Sequence, residues 1–477
     1  MKTNTLDFDA QALREKILDL AMRGKLVPQD PNDEPASVLL EKIKAEKEQL
    51  IKIKKIKKSK PLPEITDDEK PFEIPDSWEW VRLGELTNLI SGRDIPKKLH
   101  LNKPTKNSIP YITGASNISD NGEILISEWV NNPSVIVKDG TLLLSVKGTI
   151  GKIAVLNLPE AHIARQIMGL ENIYNLNLEF QKYFLENYVE ELRSKAKSMI
   201  PGISRDDMLL AIIPLPPLSE QSRIAAKIAQ LFALLRKVES SIQQYTNLKD
   251  LLKFKLLDLA MRGKLIDQNP NDEPANVLLD KIKAEKDQLV KEKKIKKTKS
   301  LPEIAADEKP FEIPNSWEWV RLGEILTIFN GKAFKPRDWS TKGLPIVRIQ
   351  NLNNPLAEYH LYNGSIEDRY HLKGNELLFA WSGTPGTSFG AHIWKNQEAV
   401  LNQHIFKLEF DQKNLDKKFL KNVMNLRVLK LIDEAHGSAG LRHITKKMFE
   451  ETTIPLPPLT EQSRIVSKLE QLFTLIG

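Results

Sequence analysis

The sequence predicts a mixed α/β protein in which two globular domains are separated by a long antiparallel coiled-coil helical spacer. Three observations carry that prediction. The chain repeats itself: residues 18–85 align without a gap on 257–324, with 55 identities in 68 positions, and IPLPPLSEQSRI at 213–224 returns as IPLPPLTEQSRI at 454–465. An apolar seam with heptad spacing runs through the stretch between the two repeats, which is the pattern of a coiled coil. The segments enclosed by the repeated parts, about 76–212 and 315–453, have similar length and little identity, and they break into short apolar runs bounded by Gly and Asn, the pattern of short strands joined by turns. A period this long with near-identical frames implies one architecture used twice.

Taken in order, residues 1–75 form an N-terminal helical segment. It contains LDLAMRGKL at 18–26, repeated at 257–265. A helix is predicted over 36–58 from Leu39, Ile43, Leu50 and Ile53, with its copy over 275–297 from Leu278, Ile282 and Leu289. Residues 76–212 form the first variable domain, with strands expected at 109–114, 123–127, 141–146 and 152–156 and a helix near 177–198. Residues 213–314 form the central spacer. It opens on IPLPPL, through which no helix can continue, and then runs from Glu220 to Arg262 without Pro or Gly. Ser219 is placed to cap its start and Gly263 to terminate it. One seam is Ile224, Leu231, Val238, Tyr245, Leu252 and Leu259; the other is Ile228, Leu235, Ile242, Lys249 and Leu256. Residues 315–453 form the second variable domain, with strands at 344–349, 375–381 and 390–394 and a helix near 414–434. Residues 454–477 form a C-terminal helical segment. It offers 17 residues from Glu461 to Gly477 and the N-terminus 17 from Met1 to Ile17, together close to the 37 from Glu220 to Leu256. This arithmetic predicts that the two ends pair, rebuild a second frame and give an approximate two-fold, circular arrangement.

Composition narrows the function. The 477 residues hold 70 Lys and Arg against 63 Asp and Glu, a net charge of +7, and no cysteine. Disulfide frameworks, thiolate zinc sites and cysteine nucleophiles are therefore excluded, and a reducing compartment is expected. No apolar run approaches the roughly 18 residues that span a bilayer, and the N-terminus lacks a signal-peptide core, so a soluble cytoplasmic protein is expected. Catalytic motifs are missing. Gly148-Thr149-Ile150-Gly151-Lys152 has its glycines too close for a phosphate loop. The Asn-Pro-Pro-Tyr type motif of adenine methyltransferases is absent, and the eight histidines, all in the variable segments, make no His-Glu-x-x-His. The chain is expected to be non-catalytic by itself and to hold no metal.

The lysine runs Lys52–Lys60 and Lys291–Lys299 read first as solvated helix ends and second as grips for phosphates, which supply salt-dependent affinity without sequence information. Trp78, Trp80, Trp317 and Trp319 read as packing at the domain entrances rather than as base-stacking platforms. Arg and Lys suit guanine edges and Asn and Gln suit adenine. Candidates of this kind in the first variable segment are Lys147, Lys152, Arg165, Gln166 and Arg205. In the second they are Lys335, Arg337, Arg348, Gln350, Arg442 and His443. Weak echoes link the segments: VKGTIGK at 146–152 with WSGTPGT at 381–387, and ARQIMGLE at 164–171 with LNQHIFKLE at 401–409. The second echo matches Arg165 and Gln166 with Asn402 and Gln403.

Two variable segments, each entered through Trp80–Glu85 or Trp319–Glu324 and left through Ile213–Ile224 or Ile454–Ile465, resemble the specificity subunit of a type I restriction–modification system over essentially the whole chain. The resemblance implies a DNA-binding subunit with two target recognition domains, each reading one half of a split, asymmetric double-stranded site, with the spacer fixing the distance between the halves. It implies two modification (methyltransferase) subunits as partners, and restriction subunits in the full complex. S-adenosylmethionine, ATP and Mg would be used by those partners, and no cofactor is expected in this chain. The competing reading is a coiled-coil adaptor presenting two protein-binding heads without DNA readout; loss of binding with salt, together with preference for one split sequence, separates the two. A fused enzyme of the same recognition family, with methylation built in, is disfavoured by the missing catalytic motif.

Overall fold

A computed structural model describes residues 8–56, 60–195, 202–296, 300–354, 356–382, 389–395, 397–435 and 444–477. The chain divides into two compact units, one ending at Ile242 and the other spanning Gln243–Gly477. The division falls in the middle of the long spacer helix, so each unit combines part of the helical frame with one variable domain.

In the N-terminal unit, α1 (Ala10–Met22) and α2 (Ala36–Lys52) come first. Helix α1 ends because Gly24 takes a positive φ of 66° and the Lys25 N–H turns back to the Leu20 carbonyl, a left-handed cap that glycine adopts without steric cost. Helix α2 buries Leu39 and Ile43, one turn apart. It stops at Lys52, six residues before the end that its apolar spacing predicts. Lys54 enters the left-handed region at φ 57°, and the Lys55 N–H bonds to the Leu50 carbonyl. The lysine run therefore begins as a helix stop, and the copy does the same with Lys293 at φ 58° and Lys294 bonded to Leu289.

The variable domain is entered through β1 (Glu79–Arg82) and the single turn α3 (Leu83–Leu86). Eight strands follow: β2 (Asn88–Ser91), β3 (Ile109–Ile112), β4 (Trp129–Val130), β5 (Ile136–Lys138), β6 (Leu142–Ser145), β7 (Ile153–Val155), β8 (Glu160–Ile163) and β9 (Ile167–Glu171). They form two four-stranded sheets, ordered β2-β9-β6-β7 and β4-β3-β8-β5. Strand β6 shows why the first is central. Leu142 and Leu144 face a core shared with the helices, while Leu143 faces a second core with Ile112, Val137, Ala161 and Ile163 of the other sheet. A strand buried on both faces reads as a continuous apolar run, which is what TLLLSV is. The predicted strand at 123–127 is not a strand. Ile124 makes one isolated bridge to Ile118, and its correct alternation, with Ile124 and Ile126 packed inward and Leu125 exposed, finds no ladder.

Helices α4 (Leu178–Lys195) and α5 (Arg205–Leu210) close the domain, and β10 (Ile212–Leu215) leaves it. The proline-rich exit pairs antiparallel with the entrance: Trp80 stands opposite Pro214 and Arg82 opposite Ile212. Proline is tolerated there because a two-stranded ribbon leaves each strand one free edge.

Helix α6 (Leu218–Met261) follows. Ser219 lies inside its first turn rather than capping it, and its hydroxyl meets Asp33 Oδ1 at 2.5 Å. The residues after it explain the E-Q-S-R motif one by one. Glu220 is buried and accepts from the Trp78 indole N–H at 2.9 Å and the Gln29 amide at 2.6 Å. Gln221 accepts from the Asn177 N–H just ahead of α4 and donates to the Pro216 carbonyl. The Ser222 hydroxyl accepts from the Asn177 amide. Arg223 grips Asp33 with both terminal nitrogens, at 3.2 and 2.6 Å. Entrance, exit and frame are thus tied at one point. Of the predicted seam, Ile224, Ile228 and Leu235 are buried, whereas Val238, Tyr245 and Leu252 are exposed. Arg14 of α1 pairs with Glu239 at 2.6 Å while Gln29, after α1, reaches Glu220, so α1 runs antiparallel to this part of α6.

The C-terminal unit begins with the rest of α6, ended by Gly263 at φ 66°. It continues with α7 (Ala275–Lys291), β11 (Glu318–Arg321), α8 (Leu322–Ile325), β12 (Thr327–Asn330), β13 (Leu344–Val347) and the short α9 (Ile349–Asn353). Next come β14 (Leu361–Tyr362), β15 (His371–Leu372), β16 (Leu377–Ala380), β17 (Gly390–Ile393), β18 (Ala399–Leu401) and β19 (Ile405–Glu409). Helices α10 (Lys417–Ala435) and α11 (Lys446–Glu451), strand β20 (Thr453–Leu456) and helix α12 (Leu459–Ile476) complete it. Its sheets, β12-β19-β16-β17 and β14-β13-β18-β15, repeat the topology of the first unit strand for strand. The anchor repeats too: Glu461 accepts from Trp317 and Gln268, Gln462 from the Asp416 N–H, and Arg464 grips Asp272. The fold is mixed α/β, with two sheet-containing domains and a 44-residue helix.

Candidate nucleic-acid interface

The two sheets of each variable domain are joined by the turn between β8 and β9, or between β18 and β19. In the N-terminal unit the Ile167 N–H closes this turn on the Ala164 carbonyl, leaving Arg165 and Gln166 at its exposed tip. Three other segments bond to it. The loop after β2 attaches through Gly92 N–H to Ile167 O and Arg93 N–H to Ile163 O; the β6–β7 loop through Val146 N–H to Gln166 O; and the end of β3 through Ala164 N–H to Ile112 O. Gly92 is dictated by this crossing, because a Cβ there would collide with the Ala164 carbonyl. Asn117, buried, braces the loop after β3: its Oδ1 accepts from Thr113 N–H and hydroxyl, and its amide donates to Leu125 O. The result is a rigid backbone socket that displays Arg93, Lys147, Arg165 and Gln166, all exposed. The carboxylate among them is Asp94, whose Oδ1 accepts from the Arg165 N–H at 3.1 Å and whose Oδ2 lies 2.8 Å from Arg165 Nε.

The C-terminal unit builds the same socket. Ile405 N–H bonds to Asn402 O, Gly331 N–H to Ile405 O, Lys332 N–H to Leu401 O, Trp381 N–H to His404 O, and Asn402 N–H to Val347 O. A Cβ on Gly331 would collide with the Asn402 carbonyl, and buried Asn351 braces the loop after β13 through Arg348 N–H. The tip is different. Gln403 and His404 occupy it, with 3.1 Å between the Gln403 amide nitrogen and His404 Nε2. The His404 ring lies 5.3 Å from that of Trp381. Lys332 does not reach outward: its Nζ meets the Tyr362 hydroxyl at 3.1 Å and lies over the Tyr362 and Phe334 rings.

These bonds correct the sequence echo by one residue. Ala164 corresponds to Asn402, so Arg165 stands where Gln403 does and Gln166 where His404 does. In this register the two segments match without a gap, with Ile167 on Ile405, Leu170 on Leu408 and Glu171 on Glu409.

The remaining candidates lie as follows. Lys147 is exposed in the β6–β7 loop. Lys152 pairs with Asp120, holding that carboxyl below its ordinary range, and lines a cleft with Arg14, Lys182 and Arg236. Arg205 donates to Leu89 O at 2.8 Å and to Ser91 Oγ. Its counterpart Lys446 donates to the matching carbonyl of Ile328, so both domains use a cation to hold the edge of the central sheet. Lys335 and Arg337 are exposed beside Asp338. Arg348 follows β13 and donates to Glu358 O at 3.3 Å, and Gln350 is exposed in α9. Arg442 and His443 lie outside the described residues. The structure thus brings Lys147, Arg165 and Gln166 together, and adds Arg93, Lys332 and His404, which sequence reasoning passed over. The signal for the first two was present: a glycine followed by a cation, Gly92-Arg93 and Gly331-Lys332, closes β2 and β12 alike. Among the described residues no group of three His, Asp or Glu side chains converges as a metal site, and no helix is long and apolar enough to cross a membrane.

One backbone socket is built twice, with unlike polar tips, on a shared helical frame. Comparison with known proteins gives the family. The model for the type I restriction modification DNA specificity domain matches residues 75–244 and 314–477. The chain is 33% identical to the type I restriction enzyme EcoAI specificity subunit of Escherichia coli, over 98% of this chain and 89% of that protein. It is 30% identical to the EcoEI specificity subunit of the same species, with the same coverage. A chain from a solved structure concerned with complex assembly and conformational transition of a type I R-M system shares the fold, with TM-score 0.58 and 21% identity over 85% of this chain and 92% of that one. The chain belongs to the type I restriction–modification specificity-subunit family, whose role is DNA sequence recognition.

Proposed function

We propose that this chain reads a split, asymmetric double-stranded DNA site, one half per unit, and docks two modification subunits, through which restriction subunits join. The observation that carries the reading is the duplicated socket with different tips. Two copies of one backbone geometry are expected to approach DNA alike, and unlike side chains at the tip are expected to read unlike bases. The duplicated frame supports docking of two copies of one partner, since each unit repeats the same helical groups. The exposed apolar side chains of α6, such as Tyr245, Leu248 and Leu251, offer area for such contact. In this reading the chain is a non-catalytic, cytoplasmic subunit with no cofactor of its own; S-adenosylmethionine, ATP and Mg are used by the partners. In this reading the long spacer helix is the ruler between half-sites.

The test is to map methylated adenines in cells expressing the chain with its partner subunits. Replacing residues 315–453 by another recognition domain is expected to change one half-site only. Removing one heptad within 224–259 is expected to change the number of unread base pairs and spare both halves. A domain replacement that altered both halves, or a heptad deletion that altered a half-site, would overturn the modular reading.

A further inference from the structure

The two sockets differ in one linked pair of residues, and that pair points to a base. In the N-terminal unit the tip residue Arg165 is held twice by Asp94, through its backbone N–H and through Nε. At the corresponding positions of the C-terminal unit stand Gln403 and Ala333. Where the arginine is absent, so is the carboxylate. A residue serving only to attract phosphates has no use for an acid beside it, since the acid cancels its charge and repels the polyanion. An arginine that must present a fixed fork does have a use for one. The Asp94 contact is made through Nε, ahead of the terminal fork, on a side chain that remains 69% exposed. Two parallel N–H donors match the O6 and N7 acceptors that guanine alone presents side by side in the major groove.

We propose that Arg165 reads a guanine in the half-site of the N-terminal unit, with Asp94 as its positioning residue, and that the C-terminal unit, with Gln403 at this place, does not read guanine there. This rests on the reading of the chain as a DNA-recognition subunit and names the base one of its tips selects. Arg93 and Lys147, which flank the tip and have no carboxylate partner among the described residues, then contact the backbone.

The experiment uses the full chain with its partner subunits, in cells and as a purified complex. Mapping of methylated adenines is compared for the wild type, for Arg165→Gln combined with Asp94→Ala, for Asp94→Asn and for Lys147→Ala. The double variant is expected to lose selection of guanine at one position of one half-site, leaving the other half unchanged. Asp94→Asn is expected to relax the same position more weakly, and Lys147→Ala to lower methylation at all sites together. If the double variant fails to fold, the wild-type complex still decides. A duplex carrying 7-deazaguanine at that position, which lacks N7, is expected to bind roughly tenfold or more weakly. Unchanged guanine selection at every position in the double variant, or equal binding of 7-deazaguanine at every guanine of both half-sites, overturns the assignment. A wild type without preference for any split sequence overturns the DNA-reading proposal itself and this inference with it.

Discussion

Substituting Glu220 by Ala tests how each recognition domain is fastened to the frame. The Glu220 side chain is buried, and both of its oxygens are used, one by the Trp78 indole N–H and one by the Gln29 amide. Truncation leaves the Trp78 N–H without an acceptor in a site 3% exposed, at a cost of about 1–3 kcal/mol for an unsatisfied buried donor. The Gln29 amide lies nearer solvent and recovers part of its loss from water. The net expectation is about 2–3 kcal/mol of destabilisation, confined to the N-terminal unit because the contacts are internal to it. Glu220→Gln should recover only part of this. Its amide nitrogen must face one of two donors, so only one of the two bonds can be remade. Denaturant unfolding gives the magnitude, and hydrogen exchange gives the location: faster exchange across 218–235 with 459–476 unchanged. A loss below about 0.5 kcal/mol, or equal acceleration in both helices, would refute the anchor.

Gly92→Ala and Gly331→Ala should each cost about 1–3 kcal/mol, as the new Cβ forces a carbonyl aside; each should also displace the tip and weaken DNA binding, read by melting and by gel shift. Lys286→Met should cost about 1–3 kcal/mol, because the half-buried Lys286 donates through Nζ to the carbonyls of Gly323, Glu324 and Leu326, which methionine cannot pair. Stability should peak at mildly acidic pH. Burial raises the carboxyls of Glu220 and Glu461, so their contribution is full below the unfolded value of about 4.3 and is lost as pH rises through the folded value. Arg223 and Arg464 lower Asp33 and Asp272, so that contribution holds above the unfolded value of about 3.9 and is lost as pH falls through the folded one. Melting temperatures that fall steadily from pH 7 to pH 5 would contradict this.

The helical frame was legible because its signals are local: apolar spacing, the glycine ends at Gly24 and Gly263, and a repeat that doubles every observation. Errors arose where a tertiary partner decides. Ser219 has the chemistry of a cap, but Asp33 claims its hydroxyl and the helix starts before it. The run at 123–127 alternates as a strand does, yet it meets the loop after β3 through one isolated bridge rather than a ladder. The apolar run of α2 continues past Lys52, but successive lysines and the left-handed Lys54 end the helix. At the site, side-chain chemistry singled out Arg165 and Gln166 as candidates, and the structure places both at the exposed tip. That chemistry could not show that Lys152 is paired with Asp120, that Arg205 holds a carbonyl, or that the socket depends on Gly92 and Asn117, because those roles depend on segments far apart in sequence.

The ladder between β1 and β10, repeated by β11 and β20, has a genetic consequence. Entrance and exit leave each domain side by side, so the DNA between them encodes a cassette with adjacent ends. The flanking stretches 18–85 and 257–324 are nearly identical, so homologous recombination within them rejoins frame to frame in register. A crossover there moves a whole domain without breaking a strand pair, and Glu220 or Glu461 meets the same tryptophan on the far side. Such exchanges produce new combinations of variable domains in one step, with the frame contacts of each domain kept.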